Sequence, residues 1–245
     1  MKSALITGAN KGIGREVAKR LAQQGYFVYI GSRDLENGQA TVQELNAAGL
    51  TNLEAVQLDV TSPDSIRAAR AAIGAKTPML DVLVNNAGIS GGMSQSALNA
   101  TLEQFQTVFE TNVFGVAGVT QAFLDLLQKS PEPRIVNVST AMASLTLYAD
   151  LDNANFAYRF PVYQASKTAL NMYTVNLAYE LRDTLFKVNA VCPGYTQTDF
   201  TGYQGTSTVE EAGQRIVKYA LLGPDGPTGK YFSEEYFPAP ATCPW

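Results

Sequence analysis

Short apolar runs alternate with longer stretches of helical period along the whole 245-residue chain. The runs Ala4–Thr7, Phe27–Gly31, Leu53–Leu58, Val82–Asn85, Arg134–Val138, Val188–Val191 and Lys230–Phe232 read as strands. Between them, residues 12–24, 34–48, 63–75, 102–128, 161–185 and 208–222 read as helices. Several helices carry start signals: Ser62 before Pro63, and the capping-box patterns Thr101 with Gln104 and Ser207 with Glu210. Parallel strands need long crossovers, and helices supply them. The expected fold is therefore α/β, a doubly wound parallel sheet of about seven strands with helices on both faces. No repeat, linker or low-complexity stretch interrupts the pattern, so one domain spanning 1–245 is expected.

Composition narrows the function. Apolar residues make up 46% and charged residues 16%, an ordinary globular balance. The net charge is -4 and no lysine or arginine cluster occurs, which disfavours a nucleic-acid or anionic-membrane partner but not a small anionic cofactor. No apolar run approaches the roughly 20 residues of a bilayer span, and the first strand is too short for a signal peptide. The two cysteines, Cys192 and Cys243, lack metal spacing, and reduced thiols in a cytoplasmic protein are expected. The chain contains no histidine, which excludes a Ser-His-Asp triad, a Cys-His nucleophile and any histidine-containing metal centre. No metal is expected, and proton chemistry falls to Tyr, Lys, Asp, Glu or Cys.

In open α/β sheets ligands bind beyond the carboxyl ends of the strands, and the unusual residues of this chain fall there. The first strand leads into Gly8-Ala9-Asn10-Lys11-Gly12-Ile13-Gly14, and the second into Ser32-Arg33-Asp34. Asp59-Val60, Asn85-Asn86-Ala87-Gly88, Ser139-Thr140 and Pro193-Gly194 follow the next four. The glycine loop has the spacing G-x-x-x-G-x-G between a strand and a helix; a strand-to-helix turn alone would explain the glycines, but the context points to a helix N-terminus aimed at phosphate. A Rossmann-type dinucleotide site follows. An NAD site places an acid after the second strand, whereas here Arg33 stands there, a guanidinium suited to a 2′-phosphate. Lys11 adds a second positive charge. NADP is expected over NAD, against the plainer reading of Arg33 as a solvated helix-start residue.

Tyr163 and Lys167 are four residues apart after Pro161, a proline suited to a first helical turn. On a helix they share a face, with the phenol near the positive dipole end. Both the ammonium and the helix terminus are expected to lower the phenol pKa from its usual ~10. The alternative is an amphipathic helix with a solvated lysine.

Together Thr7-Gly8-x-x-x-Gly12-x-Gly14, Asp59, Asn85-Asn86-Ala87-Gly88, Asn112, Ser139-Thr140, Tyr163-x-x-x-Lys167 and Pro193-Gly194 resemble the short-chain dehydrogenases/reductases, over essentially the whole chain. Gly-Ala-Asn-Lys-Gly-Ile-Gly and the extra segment before Tyr163 are similar to the carbonyl-reductase-like branch. The resemblance implies that Tyr163 is general acid for ketone reduction and base for alcohol oxidation. It implies that Lys167 lowers the phenol pKa and holds the nicotinamide ribose, with Asn112 anchoring a relay water. Asp59 would meet the adenine, Asn86 and Gly88 the adenosine side, Gly194 and Thr196 the nicotinamide, and Thr198 the amide or phosphate. Gly8, Asn10, Lys11, Gly12, Ile13, Gly14, Val60, Ala87 and Pro193 complete the expected cofactor contacts. One position departs from the pattern: the family's serine typically lies about 13 residues before the tyrosine, and here roughly ten residues are inserted. Strand register makes Thr140 the expected hydroxyl, with Ser139 beside it and Ser144 as a weaker candidate.

Aromatic and small residues cluster in three loops: Tyr148, Phe156, Tyr158 and Phe160; Gly91-Gly92-Met93; and 195–205 with Phe200 and Tyr203. They suggest an apolar pocket or, equally, packing of the loops onto the body. The expectation is NADPH-dependent reduction of an apolar ketone, aldehyde or quinone, reversible as alcohol oxidation. The alternatives are a dehydratase or epimerase of the same fold, or a nicotinamide-binding sensor or scaffold. Helices 102–128 and 161–185 resemble those that build dimer contacts in the family, so a homodimer or homotetramer is expected, although the insertion could block that contact.

Overall fold

The structure is a computed structural model that describes residues 1–92, 95–152 and 158–245; Met93 and Phe156 of the expected pocket lie outside the described residues. Seven strands are present: β1 (Ser3–Thr7), β2 (Phe27–Ser32), β3 (Leu53–Gln57), β4 (Val82–Asn85), β5 (Arg134–Val138), β6 (Lys187–Cys192) and β7 (Lys230–Ser233). They form one sheet in the order β3-β2-β1-β4-β5-β6-β7, every pair parallel. The order reverses between β1 and β4, the switch point where such sheets open a ligand crevice.

Among the described residues eight α-helices accompany the sheet: α1 (Gly12–Gln23), α2 (Leu35–Ala47), α3 (Pro63–Gly74), α4 (Leu102–Phe109), α5 (Gly115–Leu127), α6 (Leu145–Ala149), α7 (Pro161–Glu180) and α8 (Val209–Ala220). Strand residues alternate between two cores. Ala4, Ile6, Val28, Ile30, Val82 and Val84 face Val17 and Leu21 of α1, Leu45 of α2 and Ile216 of α8. Leu5, Tyr29, Leu83, Ile135 and Val188 face Ile66 and Ile73 of α3, Val119 and Phe123 of α5 and Ala178 of α7. Both faces are covered, which is why the strands read as continuous apolar runs. Among the described residues no helix is long and apolar enough to cross a membrane.

Local signals placed most ends. Ser62 accepts from the Ser65 N–H ahead of Pro63, and Thr101 with Gln104 closes a reciprocal capping box on α4. Three expectations need correction. The cap of α8 is Thr208 with Glu211, because the Ser207 hydroxyl is bonded to Glu235 and Arg215 instead. The expected helix 102–128 is split by a π-helical turn at Glu110–Phe114, which carries the fully buried Asn112 and leads into Gly115. A Cβ on Gly115 would fall 2.9 Å from the Val60 carbonyl, so the chain there packs on the end of β3 as only glycine allows. The long apolar stripe also divides: Phe123 and Leu127 are core, whereas Leu102 is 73% exposed. Finally, α7 ends at Glu180, five residues short of the expected 185.

Candidate active site

The glycine loop is shaped by contacts that exclude side chains. Gly8 and Gly12 have φ of +61° and +53°, in the left-handed region that favours glycine. A Cβ on Gly14 would lie 2.5 Å from both the Gly8 carbonyl and Asn86 Nδ2. Across the switch point Thr7 Oγ1 accepts from the N–H groups of Asn86 (3.0 Å) and Ala87 (2.9 Å). Asn86 Nδ2 donates back to the carbonyls of Thr7 (2.9 Å) and Gly8 (3.1 Å). Ile13 packs on the core behind the loop, and the Asn10 carbonyl accepts from Thr41 Oγ1 at 2.8 Å. Asp59 is oriented by the N–H and hydroxyl of Thr61, at 2.9 and 2.7 Å. Arg33 is exposed at the end of β2, and among the described residues no carboxylate pairs with its guanidinium. Lys11 differs from expectation: it pairs with Asp199, tying the glycine loop to the loop after β6.

Beyond the ends of β4 and β5 a second group converges. The Thr140 hydroxyl hydrogen-bonds the phenol of Tyr163. Tyr231 donates its hydroxyl to the Thr140 carbonyl, holding that backbone in place. Ser139 is committed elsewhere, donating to Asn171 Oδ1 at 2.6 Å, and Ser144 caps α6 by accepting from the Leu147 N–H at 3.2 Å. Of the three candidate hydroxyls, the fold brings Thr140 to the tyrosine. Lys167 is buried, donates to the Val138 carbonyl at 2.8 Å and lies 6.0 Å from the centre of the Tyr163 ring. Asn112 accepts from the Ile89 N–H (2.9 Å) and donates to the Ile89 carbonyl (2.9 Å) and Ser166 Oγ (3.0 Å). Gly88 lies between these groups: a Cβ there would stand 3.2 Å from Asn112 Oδ1 and 3.4 Å from Lys167 Nζ.

The electrostatics depart from the sequence expectation. Burial raises the Tyr163 phenol well above its ordinary value, with a smaller push from Cys192, and the Thr140 hydrogen bond opposes them. Burial lowers Lys167 from 10.5 to about 8. The phenol is thus held as the neutral acid, because desolvation of a phenolate outweighs the partners present.

A family model described as short chain dehydrogenase matches residues 2–208. The chain belongs to the short-chain dehydrogenase family. It is 33% identical to (-)-isopiperitenone reductase of Mentha piperita, covering 95% of this chain and 96% of that protein. Salutaridine reductase of Papaver bracteatum is 30% identical, with 95% and 94% covered. Among solved structures, NADPH-bound carbonyl reductase from chicken fatty liver superposes with a TM-score of 0.85 at 29% identity, over 100% of this chain and 99% of that one.

In this short-chain dehydrogenase the loops after β4, β5 and β6 border the Tyr163 side of the sheet edge. Phe200 packs on the Tyr163 ring, centroids 5.7 Å apart. Gly194, with φ of +93°, lets the loop after β6 pass Arg215, which donates to the Pro193 carbonyl at 2.7 Å. Thr196 and Thr198 are buried in that loop. Glu235 accepts from the Tyr195 N–H (2.8 Å) and Ser207 (2.8 Å), pinning both ends of the loop. Of the loop aromatics expected to line a pocket, Tyr158 before α7 and Tyr203 after β6 are exposed. Tyr148 lines a groove of about 910 Å³ with Ser144, Leu145 and Met172, on a face of α7 to which Tyr163 does not contribute. Sequence reasoning missed Asp199, Tyr231 and Glu235 as organisers of the site. Nothing local marks them, since each acts on a partner brought close only by the fold.

Lys167 carries a testable consequence. Its folded pKa lies below its unfolded value, so between about 8 and 10.5 the unfolded chain binds more protons and stability rises with pH. Below about pH 8 the cost of the buried ammonium is present in full, on the order of 3 kcal/mol. Lys167→Met removes that cost and one hydrogen bond, so it should stabilise the ligand-free protein by about 1–3 kcal/mol at pH 7. The gain should vanish by about pH 10.5. Urea unfolding at both pH values measures it; an equal difference at the two would show that the ammonium is not buried at a cost.

Proposed function

We propose that this protein is an NADPH-dependent carbonyl reductase, converting an apolar ketone, aldehyde or quinone to the alcohol and running reversibly as an alcohol dehydrogenase. The observation that carries this reading is the meeting of Thr140, Tyr163 and Lys167 beyond the strand ends, beside a glycine cradle at the switch point. The cradle fits a dinucleotide: Gly8, Gly12 and Gly14 leave backbone and the α1 N-terminus open to phosphate. Arg33 is available to a 2′-phosphate, and Asp59 stands at the end of β3 for the adenine end. Relatives named as reductases and a structural neighbour with NADPH bound support the same reading.

NADPH, when bound, supplies the hydride. The protein's own groups do the rest. Thr140 Oγ1 orients and polarises the substrate oxygen by hydrogen bonding. Tyr163 Oη, beside it, delivers the proton to the alkoxide as it forms. Lys167 would hold the cofactor's ribose hydroxyls and keeps a positive charge behind the phenol, and Asn112, joined to Ser166 and Ile89, fixes the wall behind Lys167. Asn86, Ala87, Gly88, Val60, Asn10, Pro193, Gly194, Thr196 and Thr198 would line the cofactor's path, with Ile13 supporting the glycine loop from the core side. Phe200 over Tyr163 favours an apolar substrate body.

The reading extends to assembly and setting. Leu102, Phe114, Met172 and Tyr179 are large apolar side chains left exposed on α4, α7 and the π-helical turn, which suits a homodimer or homotetramer; light scattering should return two or four chain masses, and a monomer mass would refute it. Two free, buried thiols suit a reducing cytoplasmic setting.

Two substitutions test the chemistry. Tyr163→Phe should lower turnover about 10²–10⁴-fold while NADPH affinity and fold persist. The assay is NADPH consumption over a panel of ketones, aldehydes and quinones; turnover without NADPH consumption would instead indicate a dehydratase or epimerase. Arg33→Asp should cost NADP binding about 1.5–3 kcal/mol and narrow the discrimination against NAD, read as kcat/KM for each cofactor. An unchanged preference would leave Arg33 as a surface residue only.

A further inference from the structure

Helix α7 carries Tyr163 in its first turn, and that turn has no cap of its own. Pro161 has no N–H, Phe160 has no polar side chain, and the Gln164 N–H reaches the Phe160 carbonyl at 2.8 Å. The N–H groups of Val162 and Tyr163 are left over. Both donate to one atom, Oε1 of Gln95, at 3.1 and 3.2 Å. Gln95 lies in the loop after β4, 67 and 68 positions earlier in the chain. Its Nε2 donates the other way, to the Ser90 carbonyl and, at 2.9 Å, to the Gly92 carbonyl. Two donors meet the amide oxygen and two acceptors meet the amide nitrogen, a set that a carboxamide of this reach satisfies and no hydrocarbon or ammonium does.

We infer that Gln95 is a positioning residue for the reduction proposed above: it caps α7 from the substrate-side loop and so fixes the place of the Tyr163 phenol. The inference rests on that proposal for its catalytic consequence, though not for the cap. A first helical turn without an acceptor frays, and the residue that would move is the proton donor. Misplacing a reacting group by a fraction of an ångström is costly to rate and much less so to cofactor binding, most of whose contacts would come from residues outside the first turn of α7. The cap is also neutral. A carboxylate at this position would keep the acceptor but lose both donor bonds to Ser90 and Gly92, add a negative charge beside the first turn and disfavour the phenolate further.

The experiment compares Gln95→Leu and Gln95→Glu with wild type. Gln95→Leu should speed amide hydrogen exchange at Val162 and Tyr163 about tenfold or more, with β5 unchanged. Its kcat for ketone reduction should fall about tenfold while the Kd for NADPH stays within about twofold. Gln95→Glu keeps an acceptor for the Val162 and Tyr163 N–H groups but sets its second oxygen against the Ser90 and Gly92 carbonyls, so it should recover only part of the protection and of kcat, and should move the pH profile of alcohol oxidation upward. A Gln95→Leu enzyme with wild-type kcat overturns the positioning role, as does one whose Val162 and Tyr163 amides exchange no faster than in wild type. If Gln95→Leu does not fold, the shifted pH profile of Gln95→Glu still decides: an unshifted profile overturns the inference. Wild-type protein that protects both amides but reduces no carbonyl compound would overturn the reductase reading and leave the cap standing.

Discussion

Parallel pairing is the constraint on which the rest of this structure depends. Every crossover in the sheet starts at the same edge, so the carboxyl ends of the strands gather chain reversals whose backbone groups have no ladder partner. At the β1–β4 seam one hydroxyl, Thr7 Oγ1, takes two of those N–H groups, and one amide, Asn86 Nδ2, meets two carbonyls. Because side chains rather than backbone close the seam, the glycine loop can stand open towards a ligand. Glycines at positions 8 and 14 allow that closure, since a Cβ on Gly8 would press to 3.0 Å on Ala87 and one on Gly14 to 2.5 Å on Asn86.

The opposite side of the same edge shows what function requires of stability. Lys167 is an ammonium buried with one carbonyl partner and without a carboxylate ion pair among the described residues. A core built only for stability would hold an apolar side chain there. Asn112 illustrates the related cost in backbone regularity. Its amide makes three bonds, two to Ile89 and one to Ser166, and its helix widens to a π-helical turn where it turns inward. Ser166 passes the connection on to the Tyr163 carbonyl at 2.7 Å, so the widened turn, the loop after β4 and the first turn of α7 are mechanically joined.

The fold was legible because its signals are local and repeated. Apolar runs, helical period and caps such as Ser62-Pro63 located all seven strands and most helix ends within a few residues. What escaped was decided by tertiary partners. Ser207 and Thr208 are equivalent as caps by sequence, and Glu235, 28 residues beyond Ser207, removes Ser207 from the choice. Lys11 looked free for phosphate until the fold brought Asp199 beside it. In the site, the expected place of Thr140 beside Tyr163 was legible across an insertion that broke the usual spacing, because the end of β5 is set by its pairing with β4 and β6 rather than by loop length. Gln95 could not have been found that way, since its role is visible only once the start of α7 is known to lack an acceptor.

The direction of the Tyr163 shift bears on which chemistry the site favours. The i,i+4 spacing suggested a phenolate stabilised by Lys167, yet the ammonium lies 6.0 Å from the ring centre and burial of the phenol prevails. A phenol held neutral is a poor base and an available acid. Hydride addition generates an alkoxide, a base strong enough to take a proton even from so weak an acid, and Thr140 is placed to donate to the phenolate left behind. Alcohol oxidation must begin from that phenolate, the form that desolvation disfavours. The protein's own groups therefore set the proton in the position from which reduction starts, and any ease in the reverse direction has to come from positive charge brought closer to the phenol than Lys167 stands in the structure.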